Sequence, residues 1–241
     1  MIDFEKIVQI AKNSQTRVEN VTREYIQHLF LFHFYQQKGS ENVLFKGGTA
    51  LKIIYQNPRF SEDLDFSAEN FKTKKRIEDL FINTLAKISK ENIPIELREA
   101  KFTAGGYLGI LFYKIYGFEN EMFFEISFRK KKLKKEITTI VSEYLPPYIV
   151  AQLSPEEIVR EKINALLKRE KPRDYYDFYF ILKHPVLRKY LKKEDLSIVK
   201  ENLQKKEIDV KKDLSVLLPV THHQVLKNFK RNFLFEIEKY F

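Results

Sequence analysis

The chain has no cysteine in 241 residues, so disulfides and thiolate metal sites are excluded and a reducing compartment fits. Any metal chemistry must rest on oxygen ligands or on the five histidines. No stretch approaches the roughly eighteen uninterrupted apolar residues that cross a bilayer. The opening run MIDFEKIVQIAKNS carries Asp3 and Glu5 where a signal peptide has a basic region. Internal repeats, low-complexity tracts and Pro/Gly/Ser linkers are also missing. Together these absences lead to the expectation of a cytoplasmic protein with no membrane partner. At 44% hydrophobic it has enough apolar residues for the core of one large domain or two small ones.

Glycine is scarce as well, with only seven in the chain, yet two stand together at Gly47 and Gly48 in the run VLFKGGTALKIIYQNPRFSEDLDFS. Lysine plus arginine exceed aspartate plus glutamate by ten, with basic runs at Lys72 to Arg76, Arg129 to Lys135 and Lys189 to Lys193. Such a balance suits a polyanion partner, although each run by itself reads first as a solvated face.

Periodicity predicts helices at 3–12 and 18–37, a strand at 43–45, and a helix at 49–55 stopped by Pro58. A strand at 60–66 and a helix at 73–91 follow. Strands are then predicted at 93–101, 107–116 and 121–129, with turns at Gly105–Gly106 and at 118–120. Pro146 and Pro147 divide an α+β unit, 1–147, from a C-terminal helical domain, 148–241. In that second part Ser154, Pro155 and Glu157 form an N-cap, a first-turn proline and a capping box for a helix over 155–169.

A strand, a glycine pair and a helix start make a pocket of backbone N–H groups that receives an anion. Thr49 adds a hydroxyl there, and Lys46 and Lys52 flank it. The spacing is not that of a Walker A loop, and without more it is also the pattern of a plain tight turn. Asp63 and Asp65 change the reading. Two residues apart on a strand, they share a face, and two carboxylates held together invite a hard divalent cation. An isolated D-x-D would be a solvated edge strand. The third carboxylate expected for a metal clamp is Glu125 in MFFEISFRK, placed amid apolar neighbours where an unpaired charge would be costly. Glu62, Glu96 and Glu99 compete for that role.

The run EKINALLKREKPRDYYDFYFILK sets Lys162 and Arg169 seven apart on one helical face, with Arg173, Asp174 and Asp177 beginning the next helix. Two cations aimed one way would grip a triphosphate. The plainer alternative is an Arg173–Asp177 surface pair and a solvated Lys162.

FKGGTALK, RFSEDLDF and EKINALLKREKPRDYYDFYFIL, with FFEISFR as a looser match, resemble the AbiEii/AbiGii-type toxins of the minimal nucleotidyltransferase superfamily. The resemblance implies a mixed sheet with flanking helices, a helical C-terminal domain, and transfer of NMP from an NTP with Mg²⁺ or Mn²⁺ as cofactor. It makes Asp63, Asp65, Lys162, Asp174 and Asp177 the catalytic candidates, and Asp63, Asp65 and Glu125 the metal ligands. Lys46, Gly47, Gly48, Thr49, Lys52, Arg59, Ser61, Arg169 and Arg173 form the expected nucleotide-binding set. It further implies a toxin–antitoxin or phage-defence role, a cognate antitoxin, and an RNA acceptor, tRNA in particular. A protein or small-molecule acceptor is the rival enzyme reading, and a non-catalytic nucleotide- or RNA-binding module is the rival of another class.

Overall fold

The computed structural model describes residues 1–69, 74–129 and 132–241; residues 72–73 and 130–131 of two basic runs lie outside the described residues. The chain forms two compact units. The first comprises Met1–Gln56 and Phe60–Leu153, and the second joins Asn57–Arg59 to Ser154–Phe241.

In the first unit, helices α1 (Phe4–Asn13) and α2 (Val18–Tyr35) precede β1 (Val43–Lys46), and α3 (Gly47–Tyr55) follows β1 with no residue between. Then come β2 (Leu64–Glu69), α4 (Lys74–Ser89), β3 (Ile95–Thr103), β4 (Gly106–Ile115), β5 (Phe118–Arg129), β6 (Lys135–Ile140) and β7 (Tyr148–Leu153). The seven strands make one mixed sheet, ordered β3-β4-β5-β2-β1-β7-β6. β2 lies antiparallel to β1 and parallel to β5, while β7 runs parallel to β1. The α+β expectation holds.

One face of the sheet is packed. Helix α2 is buried over most of its circumference, polar Asn20, Thr22, Gln27 and His28 included. Phe30 on α2 stacks among Phe34, Phe66, Phe81 and Phe124, with ring centroids 5.5 to 6.5 Å away. Strand alternation therefore sends Phe66 and Phe124 into this core and their neighbours Asp65, Phe123 and Glu125 to the opposite face.

Four local expectations are corrected. Strand β2 begins at Leu64 rather than at Phe60, because the Ser61 carbonyl accepts a hydrogen bond from Gln27 Nε2 (3.0 Å) instead of entering a ladder. The β4–β5 turn is Tyr116–Gly117, not 118–120. A type I′ two-residue hairpin needs positive φ at both positions, and these have φ 52 and 82. Strands β6 and β7 were not anticipated. They are short, and β7 earns its place by long-range pairing, Phe45 opposite Gln152. The division expected at Pro146–Pro147 consequently falls one strand early.

In the second unit, α5 (Pro155–Arg169) begins as the sequence predicts, with Ser154 Oγ accepting from the Glu157 N–H at 3.4 Å. Helices α6 (Pro172–Lys183) and α7 (Lys193–Lys205) follow, and a last long helix runs Phe229–Glu238. Tyr179 lies 5.5 Å from Phe229 and 5.9 Å from Phe233, so the aromatic run of α6 is core packing for this unit. Among the described residues no helix is long and apolar enough to cross a membrane.

Candidate active site

Gly47 heads α3 with φ +83, a conformation that favours glycine. A second constraint coincides with the first. A Cβ built on Gly47 would fall 2.1 Å from Asp65 Oδ2, 2.7 Å from its Cβ and 2.8 Å from its Cγ. Even alanine would force the whole Asp65 side chain aside. The scarce residue stands at 47 because the chain must both reverse and admit a carboxylate against its backbone. That carboxylate thus lies at the positive end of α3, where an anion is favoured.

Register sets the rest of the row. Lys46 pairs with Asp65 across β1–β2, and Asp65 pairs with Glu125 across β2–β5. Residues directly opposite share a face with Cβ atoms about 5 Å apart, so an ammonium and two carboxylates stand side by side on the face opposite the aromatic core. Lys46 is buried and its Nζ donates to Ser127 Oγ at 3.3 Å. Glu125 is exposed. The argument that its charge sits in apolar surroundings therefore fails, and its candidacy rests on register alone.

Asp63 precedes β2 and is half-buried, so strand parity does not place it. Thr49 does. Its hydroxyl donates to the Asp63 carbonyl, and Thr49 is fully buried. The hydroxyl expected to meet phosphate instead ties α3 to the approach of β2. Among the described residues no three histidine, aspartate or glutamate side chains are gathered so as to hold a metal ion.

Lys52, expected at the phosphate pocket, faces elsewhere. Its Nζ lies 4.0 Å above the Phe60 ring and 3.9 Å from Glu24 Oε1. Tyr144 donates to Glu24 at 2.9 Å, and Tyr148 bonds His28 Nδ1 at 2.8 Å. Burial raises the Glu24 pKa against the opposing pull of Lys52 and Tyr144, and burial, then Lys52, pushes His28 down to about 3. A cavity of about 230 Å³ adjoins these groups. In the sequence Glu24 and His28 are four apart on a helix, which reads as an ordinary surface pair and gives no warning of this network.

In the second unit the acids and bases singled out by the sequence satisfy one another. Asp177, fully buried, accepts from Arg59 Nε and Nη2, both at 2.8 Å, from Lys162 Nζ at 2.6 Å and from Asn57 Nδ2 at 3.1 Å. Burial alone would favour a neutral Asp177, but Arg59 and Lys162 outweigh it and hold the carboxyl well below the usual range. One turn earlier on α6, Asp174 Oδ1 accepts from Arg169 Nη2 at 2.7 Å, while the buried Oδ2 has no hydrogen-bond partner. Lys162 and Arg169 do share a face of α5, as their spacing predicts, but that face is turned to α6. In place of the alternative Arg173–Asp177 pair, Asp177 takes Arg59 and Lys162, and Arg173 is half-buried. Asn57 was missed, since nothing in NPR announces an amide that will meet a carboxylate far along the chain.

The fold is similar to that of JHP933 from Helicobacter pylori, at TM-score 0.63 and 22% identity over 93% of this chain and 92% of that one. It is also similar to MenT4, a nucleotidyltransferase toxin from Mycobacterium tuberculosis H37Rv, at TM-score 0.59 and 15% identity over 100% and 93%. No curated protein matches the chain. The family described as nucleotidyl transferase AbiEii toxin, type IV toxin–antitoxin system, matches residues 29–236. With glycine pair, paired carboxylates and sheet order all in that span, the chain belongs to the AbiEii family of nucleotidyltransferase toxins.

Proposed function

We propose that the chain transfers NMP from an NTP to an RNA acceptor, tRNA in particular, at the row formed by Lys46, Asp65 and Glu125 beside Gly47. The observation that carries this reading is the contact between Gly47 and Asp65, which sets a carboxylate against an amide-lined helix start. Terminal phosphates at Gly47 and Gly48 then bring the α-phosphate to Asp65. A P–O bond forms between the acceptor oxygen and the α-phosphorus, the bridging bond to the β-phosphate breaks, the acceptor proton passes to solvent, and pyrophosphate leaves.

Asp65 and Glu125, with Asp63 close in sequence, are the hard oxygen ligands that would hold Mg²⁺ or Mn²⁺. Mg²⁺ is ordinarily held by one or two carboxylates plus substrate phosphates, so two carboxylates on one row would serve. A bound divalent ion supplies acidification of the attacking hydroxyl and neutralisation of the departing charge. Lys46 neutralises charge on the same row, and Thr49 holds the Asp63 backbone. Lys162, Asp174 and Asp177, with Arg59 and Arg169, serve to fix the helical unit.

The excess of ten basic residues, most of it in the second unit, supports a polyanionic acceptor. A cognate antitoxin would complete the system. The test is transfer of label from α-labelled NTP to total RNA, with and without EDTA. Label is expected on RNA, lost with EDTA and restored by Mg²⁺. Label on protein or on a small molecule would reassign the acceptor, and unimpaired labelling by Asp65→Ala would overturn the site.

A further inference from the structure

An exposed aromatic side chain lies on the face that carries the site. Phe123 in β5 is 41% exposed, whereas Phe124 beside it is fully buried. Phe123 stands two residues from Glu125, hence on the same face, and its partner across β4–β5 is the half-buried Ile110.

The direction of the reaction decides what such a ring would meet. In-line transfer brings the attacking oxygen in opposite the departing pyrophosphate. The strands run β5-β2-β1 in the sheet. Gly47 and Gly48 follow β1, Asp65 lies on the middle strand β2, and Phe123 lies on β5. With pyrophosphate on the β1 side, the hydroxyl enters from the β5 side, about one strand spacing of 5 Å beyond Asp65. The base on the ribose that carries this hydroxyl then lies over β5. The NTP's own triphosphate, by contrast, extends toward β1.

We infer that Phe123 is the stacking platform for the 3′-terminal base of the RNA acceptor, seated on Ile110, and that it positions the terminal hydroxyl for attack. This inference rests on the RNA nucleotidyltransferase reading above. Stacking on a ring tolerates any base, because every base has a π face, and removing the ring weakens acceptor binding by about ten-fold or more.

The chain has no tryptophan, so Phe123→Trp introduces a single fluorescent reporter at this position. It is titrated with a short single-stranded RNA, with the same RNA bearing an abasic 3′ ribose, and with NTP plus Mg²⁺. Quenching by the intact RNA, about ten-fold weaker binding of the abasic one, and no response to NTP are expected. In transfer assays Phe123→Ala raises KM for RNA by about ten-fold or more and leaves KM for NTP and the melting temperature unchanged, while Phe123→Trp restores the wild-type KM. Equal response to abasic RNA, quenching by NTP alone, or an unchanged KM for RNA in Phe123→Ala would each overturn the platform. Wild-type labelling of RNA is measured alongside. If it occurs and Phe123→Ala is indifferent, the platform alone is wrong; if it never occurs, the functional reading fails and the platform falls with it.

Discussion

Asp65 and Asp177 are both aspartates in runs that the sequence marks for chemistry, yet their surroundings are opposite. Asp65 is half-buried on the sheet face opposite the aromatic core, with Glu125 exposed beside it and a glycine backbone beneath it. Asp177 is sealed among two cations and an amide. A carboxylate with its lone pairs already filled by buried donors stabilises the arrangement that fills them, and removing it strands those donors. A carboxylate on an open face has lone pairs to offer a ligand. The same side chain is thus a structural clamp in one unit and a candidate ligand in the other, and burial with partners makes the difference.

The contrast is open to attack by substitution. Asp65→Asn should lower transfer to RNA by about 10³-fold, the equivalent of several kcal/mol of lost charge stabilisation, while the melting temperature hardly moves. Gly47→Ala should reach a comparable loss by displacing Asp65. An active Gly47→Ala would show that the carboxylate need not rest on that backbone.

Asp177→Ala should behave in the reverse manner, with about 3–5 kcal/mol lost from the stability of the helical unit because Arg59 and Lys162 are left as uncompensated buried charges. Denaturant unfolding checks this. A fully stable, inactive Asp177→Ala would transfer Asp177 from the structural to the catalytic side of the comparison.

Thr49→Val keeps the shape and removes the hydroxyl that holds the Asp63 carbonyl. A stability loss of about 1–2 kcal/mol is expected, with kcat reduced and KM for NTP unchanged. A raised KM for NTP would instead return Thr49 to the phosphates.

A different kind of effect concerns pH. His28 has its pKa pushed down to about 3 by burial and by Lys52, whereas an unfolded histidine titrates near about 6.5. The unfolded chain therefore binds a proton that the folded chain refuses, and stability is lost as pH falls from about 6.5 toward 3, by at most about 1.4 kcal/mol per pH unit. Glu24, with its raised pKa, works in the opposite sense but is common to both chains when His28→Gln is compared with wild type. Melting curves between pH 7 and 4 should be flatter for His28→Gln; parallel curves would show that His28 is not held neutral.

The placement of part of the candidate site was legible. Gly47, Asp65 and Lys46 could be read because a strand, a glycine pair and a helix start are consecutive in the chain, and the α5 cap could be read because Ser154, Pro155 and Glu157 act within one turn. Glu125 was reached by strand parity, although the reason first attached to it depended on burial that a single strand cannot reveal. Lys52 was misjudged for a similar reason: its distance from Gly47 along the chain is short, yet helical rotation turns it toward Glu24 and Phe60.

Local sequence by itself determined the helices with strong apolar stripes, the reversal at the glycine pair, and the alternation that sends Phe66 inward and Asp65 outward, because each is settled by neighbours within a few residues. Only the tertiary structure decided which charges are neutralised. Asn57 and Arg59 meet Asp177, Asp65 meets Glu125, and β7 meets β1 across separations that no local pattern encodes, and a charge keeps or loses its freedom to bind according to what the fold brings beside it.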